Sequence, residues 1–239
     1  MNENRVALIT GGGTGIGAAT AEELAGIGLK IVVVGRRTKP LQDVVARIKS
    51  RGGQAMDLPA DVANYEAMEE VVKRTVECYG RIDLLVANAA VHDVSAVDAG
   101  DPANWSQLMQ VNVMGVLNVV RAVLPLMYRQ RAGHIVVVSS VSGRVTYVGE
   151  TAYVCSKHAT TAFADCLRQE ASPRGIRVTL LEPGLVDTPL ADNPYAAEMK
   201  KTVQPLSSFD CARAIRFAFE QPPNVAINEI VMRPLKQVL

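Results

Sequence analysis

The chain has 239 residues, enough for one large or two small domains and for a core that needs no staples. Hydrophobic residues make up 49%, charged residues 21% and aromatics 5%, which excludes collagen-like and disordered classes. With 25 Lys+Arg against 24 Asp+Glu the net charge is +1, so broad electrostatic capture of nucleic acid or of an anionic membrane is disfavoured and only a local basic site remains open. Cys78, Cys155, Cys166 and Cys211 show no C-x-x-C spacing, and the three histidines are widely separated. Reduced thiols in a cytoplasmic protein are expected, with no metal cluster. The polar Met1–Arg5 stretch lacks a leader-like apolar region, and no apolar run reaches the ~18 residues of a membrane span.

In chain order, short β-branched runs alternate with longer amphipathic stretches. Strands are expected at Val6–Thr10, Lys30–Gly35, Gln54–Leu58, Leu84–Ala87, His134–Ser139, Arg177–Leu181 and Glu229–Arg233. Most are continuously apolar, as in strands buried on both faces of a parallel sheet. Helices are expected at Gly15–Gly28, Pro40–Arg51, Tyr65–Tyr79, Asn104–Arg129, Ala152–Ala171 and Phe209–Glu220. This alternation predicts an α/β fold, a single-domain doubly wound parallel sheet of about seven strands with helices on both faces. No linker, repeat or charge block divides residues 1–239. Thr188–Ser208, with Pro189, Pro194 and Pro205, is the least patterned stretch and reads as a loop over a substrate site.

The turn between the first strand and first helix, Thr10–Gly17, is glycine-rich. Glycines there permit a tight turn and close approach of a pyrophosphate, whose charge the free N–H groups of the helix start would bind. Gly13, Gly15 and Ala18 fit G-x-G-x-x-A, while Gly11, Gly15 and Gly17 fit G-x-x-x-G-x-G equally well. At the end of the second strand an acid would accept the ribose hydroxyl of NAD; here Arg36 and Arg37 stand instead. Two guanidiniums suit a 2′-phosphate, so NADP is favoured over NAD.

Tyr153 and Lys157 are four apart in a helical pattern and share a face. Ser139 and Ser140 end a buried strand shortly before, and Asn112 lies within the long Asn104–Arg129 stretch. Hydride transfer to a carbonyl develops an alkoxide that needs a proton. Tyrosine can donate it, a nearby Lys⁺ would lower its pKa from about 10, serine can hold the substrate oxygen, and asparagine can hold a relay water. His92 either faces the substrate mouth or is a loop histidine; His134, opening a strand, reads as structural.

With these motifs in this order the sequence resembles the short-chain dehydrogenase/reductase family nearly end to end. The family's T-G-x-x-x-G-x-G is Thr10–Gly17, which places the spacing on Gly11, Gly15 and Gly17. The resemblance implies a Rossmann-type fold and a tetrad of Asn112, Ser140, Tyr153 and Lys157. NADP(H) contacts would come from Gly11, Gly13, Thr14, Gly15, Ile16, Gly17, Arg36 and Arg37. Asp61 and Val62 would meet the adenine, and Asn88, Ala89 and Ala90 stand for the N-N-A-G element. Tyr153 and Lys157 would also hold the nicotinamide ribose, and Pro183, Gly184, Val186 and Thr188 would face the nicotinamide. Ala87 and Ala90 depart from N-N-A-G, the latter adding a methyl beside the cofactor ribose. The ending Asn228–Pro234 is similar to a branch acting on serine and 3-hydroxy acids. The expected enzyme oxidises or reduces a small alcohol or carbonyl and forms a dimer or tetramer, with the Asn104–Arg129 and Ala152–Ala171 helices at an interface. A catalytically silent nucleotide sensor would lack the tyrosine or lysine, and a methyltransferase would leave the tetrad unexplained.

Overall fold

The computed structural model describes residues 4–238. Residues 1–3, part of the polar N-terminal stretch read above, lie outside the described residues. The strands are β1 Val6–Thr10, β2 Lys30–Gly35, β3 Ala55–Pro59, β4 Leu84–Ala87, β5 Gly133–Val138, β6 Ile176–Pro183 and β7 Glu229–Met232. The helices are α1 Gly15–Gly26, α2 Thr38–Ser50, α3 Tyr65–Tyr79, α4 Pro102–Met109, α5 Gly115–Gln130, α6 Thr151–Ala171, α7 Pro194–Lys200 and α8 Ser208–Glu220.

All seven strands pair in parallel in the order β3-β2-β1-β4-β5-β6-β7. Strand order reverses between β1 and β4, the switch point where an open α/β sheet binds its ligand. The apolar runs have the burial expected of central strands: Val6 to Ile9 and Ile31 to Val34 are wholly enclosed. Each such Leu, Ile or Val contributes about 1.5–3 kcal/mol on burial. Two cores result, one per sheet face. Leu24, Leu41, Ile48 and Ile215 bring α1, α2 and α8 onto one face. Met68, Val71, Val123 and Leu167 bring α3, α5 and α6 onto the other.

Two elements differ from expectation. The single helix expected over Asn104–Arg129 is α4 and α5 joined by a π-helical turn, Gln110–Met114, that carries Asn112. It also starts earlier, because Pro102 occupies the first turn and the Asp101 carboxylate accepts from Ala103 N at 2.8 Å. By length and composition Pro102–Gln130 would suit a membrane span, but 50% of its apolar window is buried in the fold. The loop expected over Thr188–Ser208 contains a 3₁₀ turn at Pro189–Ala191 and the short helix α7, capped where Asn193 Oδ1 accepts from Ala196 N at 2.9 Å.

Candidate active site

The carboxyl ends of the strands carry two adjoining depressions. The first is lined by Gly11, Gly13, Thr14, Gly15, Ile16, Arg36, Arg37, Asp61, Val62 and Asn88 to Ala90. The second is lined by Ser140, Tyr153, Lys157, Pro183, Gly184, Val186 and Thr188. Ile16, Asn88, Ala90, Thr188 and Leu190 belong to both walls, so the two spaces are continuous. Gly17 and Asn112 line neither and act from behind.

The glycine turn is shaped by contacts only glycine permits. Gly11 and Gly15 have φ of +64° and +53°, in the left-handed region that a Cβ disfavours. A Cβ on Gly17 would stand 2.3 Å from Gly11 O. These are the glycines of the G-x-x-x-G-x-G spacing, while Gly13 meets only side-chain and backbone neighbours at 3.1 Å or more. The turn is laced to β4 by Thr10, whose hydroxyl accepts from Asn88 N at 3.0 Å and Ala89 N at 3.1 Å. Asn88 Nδ2 returns a bond to Thr10 O at 2.9 Å. The α1 N-terminus therefore faces an open cleft with its N–H groups free for an anion. Arg36 and Arg37 are both exposed on the cleft wall, and neither is paired with an acid among the described residues. A pyrophosphate-bearing dinucleotide fits this cradle, with the arginines at one end and Thr188 near the glycine turn.

In the second space Tyr153 sits in the first turn of α6 and Lys157 one turn on, both almost wholly enclosed. Burial pushes the Tyr153 phenol well above its ordinary range; a hydrogen bond with Ser140 offsets part of that, and the Glu150 charge adds to it. Burial also pulls the Lys157 ammonium down to about 8. The expected depression of the phenol by Lys157 is not what this geometry gives. Lys157 Nζ donates to Val138 O at 3.2 Å and stands 5.6 Å from the Tyr153 ring centroid, and burial is the largest influence on the phenol. Ser140 caps the 3₁₀ turn Val141–Gly143 after β5, its Oγ accepting from Ser142 N at 3.1 Å.

Asn112 is held by protein partners on both sides of its amide. Its Oδ1 accepts from Val91 N at 2.8 Å, and its Nδ2 donates to Val91 O at 2.9 Å and to Ser156 Oγ at 3.1 Å. Both amide hydrogens are engaged, so the side chain braces the loop after β4 against α6. The π turn around it leaves main-chain groups without α-helical partners, a geometry frequent at functional sites.

The segment after β6 is fixed from an unexpected quarter. Gln237, near the C-terminus, lines the second space and accepts from Leu185 N at 2.8 Å through Oε1, and Val186 forms a bridge with Leu206. His92 does face the pocket, packed edge-on against Tyr153 with ring centroids 4.2 Å apart. Gln237, Glu150, Tyr147 and Asn193 also line it, and no spacing in the sequence marks them.

A family model described as short chain dehydrogenase matches residues 5–198. The chain belongs to the short-chain dehydrogenase family. An uncharacterized oxidoreductase of Staphylococcus saprophyticus is 37% identical to this short-chain dehydrogenase over 235 residues, 98% of each chain. Among solved structures, a metagenomic short-chain oxidoreductase in complex with NADP superposes with a TM-score of 0.85 at 26% identity over 98% of both chains. A 3-ketoacyl-ACP reductase from Sinorhizobium meliloti gives 0.87 at 34% identity, covering 95% of this chain and 97% of that one. An oxidoreductase with a nicotinamide-nucleotide cleft agrees with the cradle described above.

Proposed function

We propose that this oxidoreductase uses NADP(H) to interconvert an alcohol, chiefly a secondary one, with a ketone or aldehyde. The observation that carries the reading is the enclosed Tyr153–Lys157 pair beside Ser140, opening directly onto the dinucleotide cleft. Bound NADP⁺ supplies the hydride acceptor, and NADPH the hydride in reverse. Ser140 Oγ would hold the substrate oxygen beside the Tyr153 phenol. In oxidation Tyr153 receives the alcohol proton as hydride leaves the carbinol carbon; in reduction it gives that proton to the forming alkoxide. Among the described residues Lys157 is the only Lys or Arg lining this space, so its ammonium is the cation placed to offset a Tyr153 phenolate. It would also hold the nicotinamide ribose. Asn112 would keep the π turn in place, and main-chain acceptors there would pass protons onward through water.

The phosphate preference rests on Arg36 and Arg37, with Asp61 and Val62 near the adenine end. Pro183, Gly184, Val186 and Thr188 would meet the nicotinamide. The substrate is a small hydroxy compound of the serine or 3-hydroxy acid kind, taken between the Thr188–Ser208 segment and the pocket. The four cysteines are free, which supports a reducing, cytoplasmic setting. The working form is a dimer or tetramer.

Tyr153→Phe removes the proton carrier alone. Its kcat should fall about 10²–10⁴-fold or more while NADPH still binds. The test is NADPH consumption against ketones, aldehydes and 3-oxo acids, with NADP⁺-driven oxidation of serine and 3-hydroxy acids alongside. Turnover of a good substrate by Tyr153→Phe at the wild-type rate would overturn the assignment.

A further inference from the structure

Glu150 immediately precedes α6, one turn before Tyr153, and lines the substrate pocket although the residue is only 5% exposed. Its carboxylate accepts no hydrogen bond from any described residue. The nearest ionisable group is His92, whose Nε2 lies 3.4 Å from Oε2 without hydrogen-bond geometry.

His92 is held from its other side by Asn193. Asn193 Oδ1 accepts from Ala196 N at 2.9 Å, which fixes the amide orientation. Asn193 Nδ2 therefore faces His92 Nδ1 as a donor at 3.3 Å. In the same pocket the Tyr147 hydroxyl is buried with no partner among the described residues. The Tyr147 hydroxyl is costly to leave unpaired, and the Glu150 carboxylate opens to the pocket with no donor from those residues, so a ligand that donates to both completes the site.

We propose that Glu150, with the Tyr147 hydroxyl, is a recognition site for a protonated amine, and that the substrate is an amine-bearing alcohol or ketone. The proposal rests on the oxidoreductase reading above and narrows it. His92 packs on Tyr153 and lies 3.4 Å from Glu150, so an ammonium on Glu150 is held beside the reacting centre. A substrate carrying only a carboxylate meets Glu150 and no lining arginine; the Arg233 charge reaches Tyr147, but its guanidinium is not part of the wall. Plain 3-hydroxy acids are therefore the poorer members of the class.

The probes are 1-amino-2-propanol, its N-acetyl derivative and 3-hydroxybutyrate, titrated into the wild-type enzyme saturated with NADP⁺ and into Glu150→Gln. Binding is read by calorimetry or thermal shift, and oxidation by NADPH formation. The free amine should bind about ten- to a hundredfold more tightly than the N-acetyl form or the hydroxy acid. Glu150→Gln should erase that margin, with NADPH binding confirming that the variant is folded. An amine that binds no better than its N-acetyl form, or not at all, overturns the proposal, as does a margin that survives Glu150→Gln. Failure of NADP⁺ itself to bind would instead overturn the cofactor reading. Tyr147→Phe is a second variant, keeping the ring and removing only the hydroxyl; it should reduce the margin without abolishing it, and an unchanged margin would remove Tyr147 from the site.

Discussion

Arg36 and Arg37 stand on the wall of the cofactor cleft with no acid to satisfy them, directly after β2. A 2′-phosphate there would take up to two bidentate contacts, and NADH offers none. Replacing both arginines by Ala should raise the NADPH dissociation constant about ten- to a hundredfold, discounted for exposure, and leave that of NADH within about twofold. Fluorescence titration of the two cofactors measures this, and equal effects on both would sink the NADP preference. These arginines were legible because they sit at a fixed offset from a strand end. Tyr153, Lys157 and Ser140 were legible for the same reason, since helix period and strand end place them together. Glu150, Tyr147, Asn193 and Gln237 were not. Each reaches the pocket from a loop, a cap or the chain end, where side-chain direction depends on tertiary contacts that no local period encodes. Asn112 was found by position, yet its amide is engaged by Val91 and Ser156, partners 21 and 44 residues away.

Strand β5 begins around a buried histidine. His134 Nε2 lies 2.7 Å from Thr179 Oγ1, and that hydroxyl donates to Ile227 O at 2.6 Å. Nε2 is therefore the donor, and the buried Nδ1 is a bare lone pair with no partner. Protonation would place an N–H⁺ there with nothing to accept it. Burial, helped by the Arg177 charge, accordingly pushes the pKa down to about 3. The unfolded chain binds this proton near pH 6.5 and the folded chain does not, so the contribution is complete above 6.5 and is lost as pH falls toward 3. By pH 5 the loss is about 2 kcal/mol. Urea midpoints at pH 7.5 and 5 should show this slope for the wild type and a shallower one for His134→Gln. An identical slope would acquit the histidine. Strands of this kind were readable from their unbroken apolar runs. The π turn at Gln110–Met114 was hidden, since no proline or glycine within it interrupts the helical run on either side. Helix α7 was hidden by its seven-residue length among prolines, although Asn193 and Pro194 form an ordinary helix start.

At the scale of the whole molecule, several large apolar side chains face outward. Met109 and Met114 are 37% and 41% exposed on the α4–α5 rod. Phe217 on α8 and Val231 on the edge strand β7 are 55% and 41% exposed. β7 pairs with β6 alone, so its far side offers unpaired backbone groups. A lone subunit would leave all of these to water, and closed symmetric association is the ordinary way to cover such surface. The α4–α5 rod, packed near α6, is where an interface is expected, because its exposed methionines lie on a rigid helical face. Sedimentation or light scattering at micromolar concentration should give two or four times the 25.6 kDa subunit mass. Met109→Glu with Met114→Glu places two like charges on each copy of a self-facing surface, and should lower the mass by at least half. A wild-type enzyme that runs at the subunit mass would refute association. A multimer that survives both substitutions would move the interface to the α8–β7 side, where Phe217→Glu and Val231→Lys become the decisive changes.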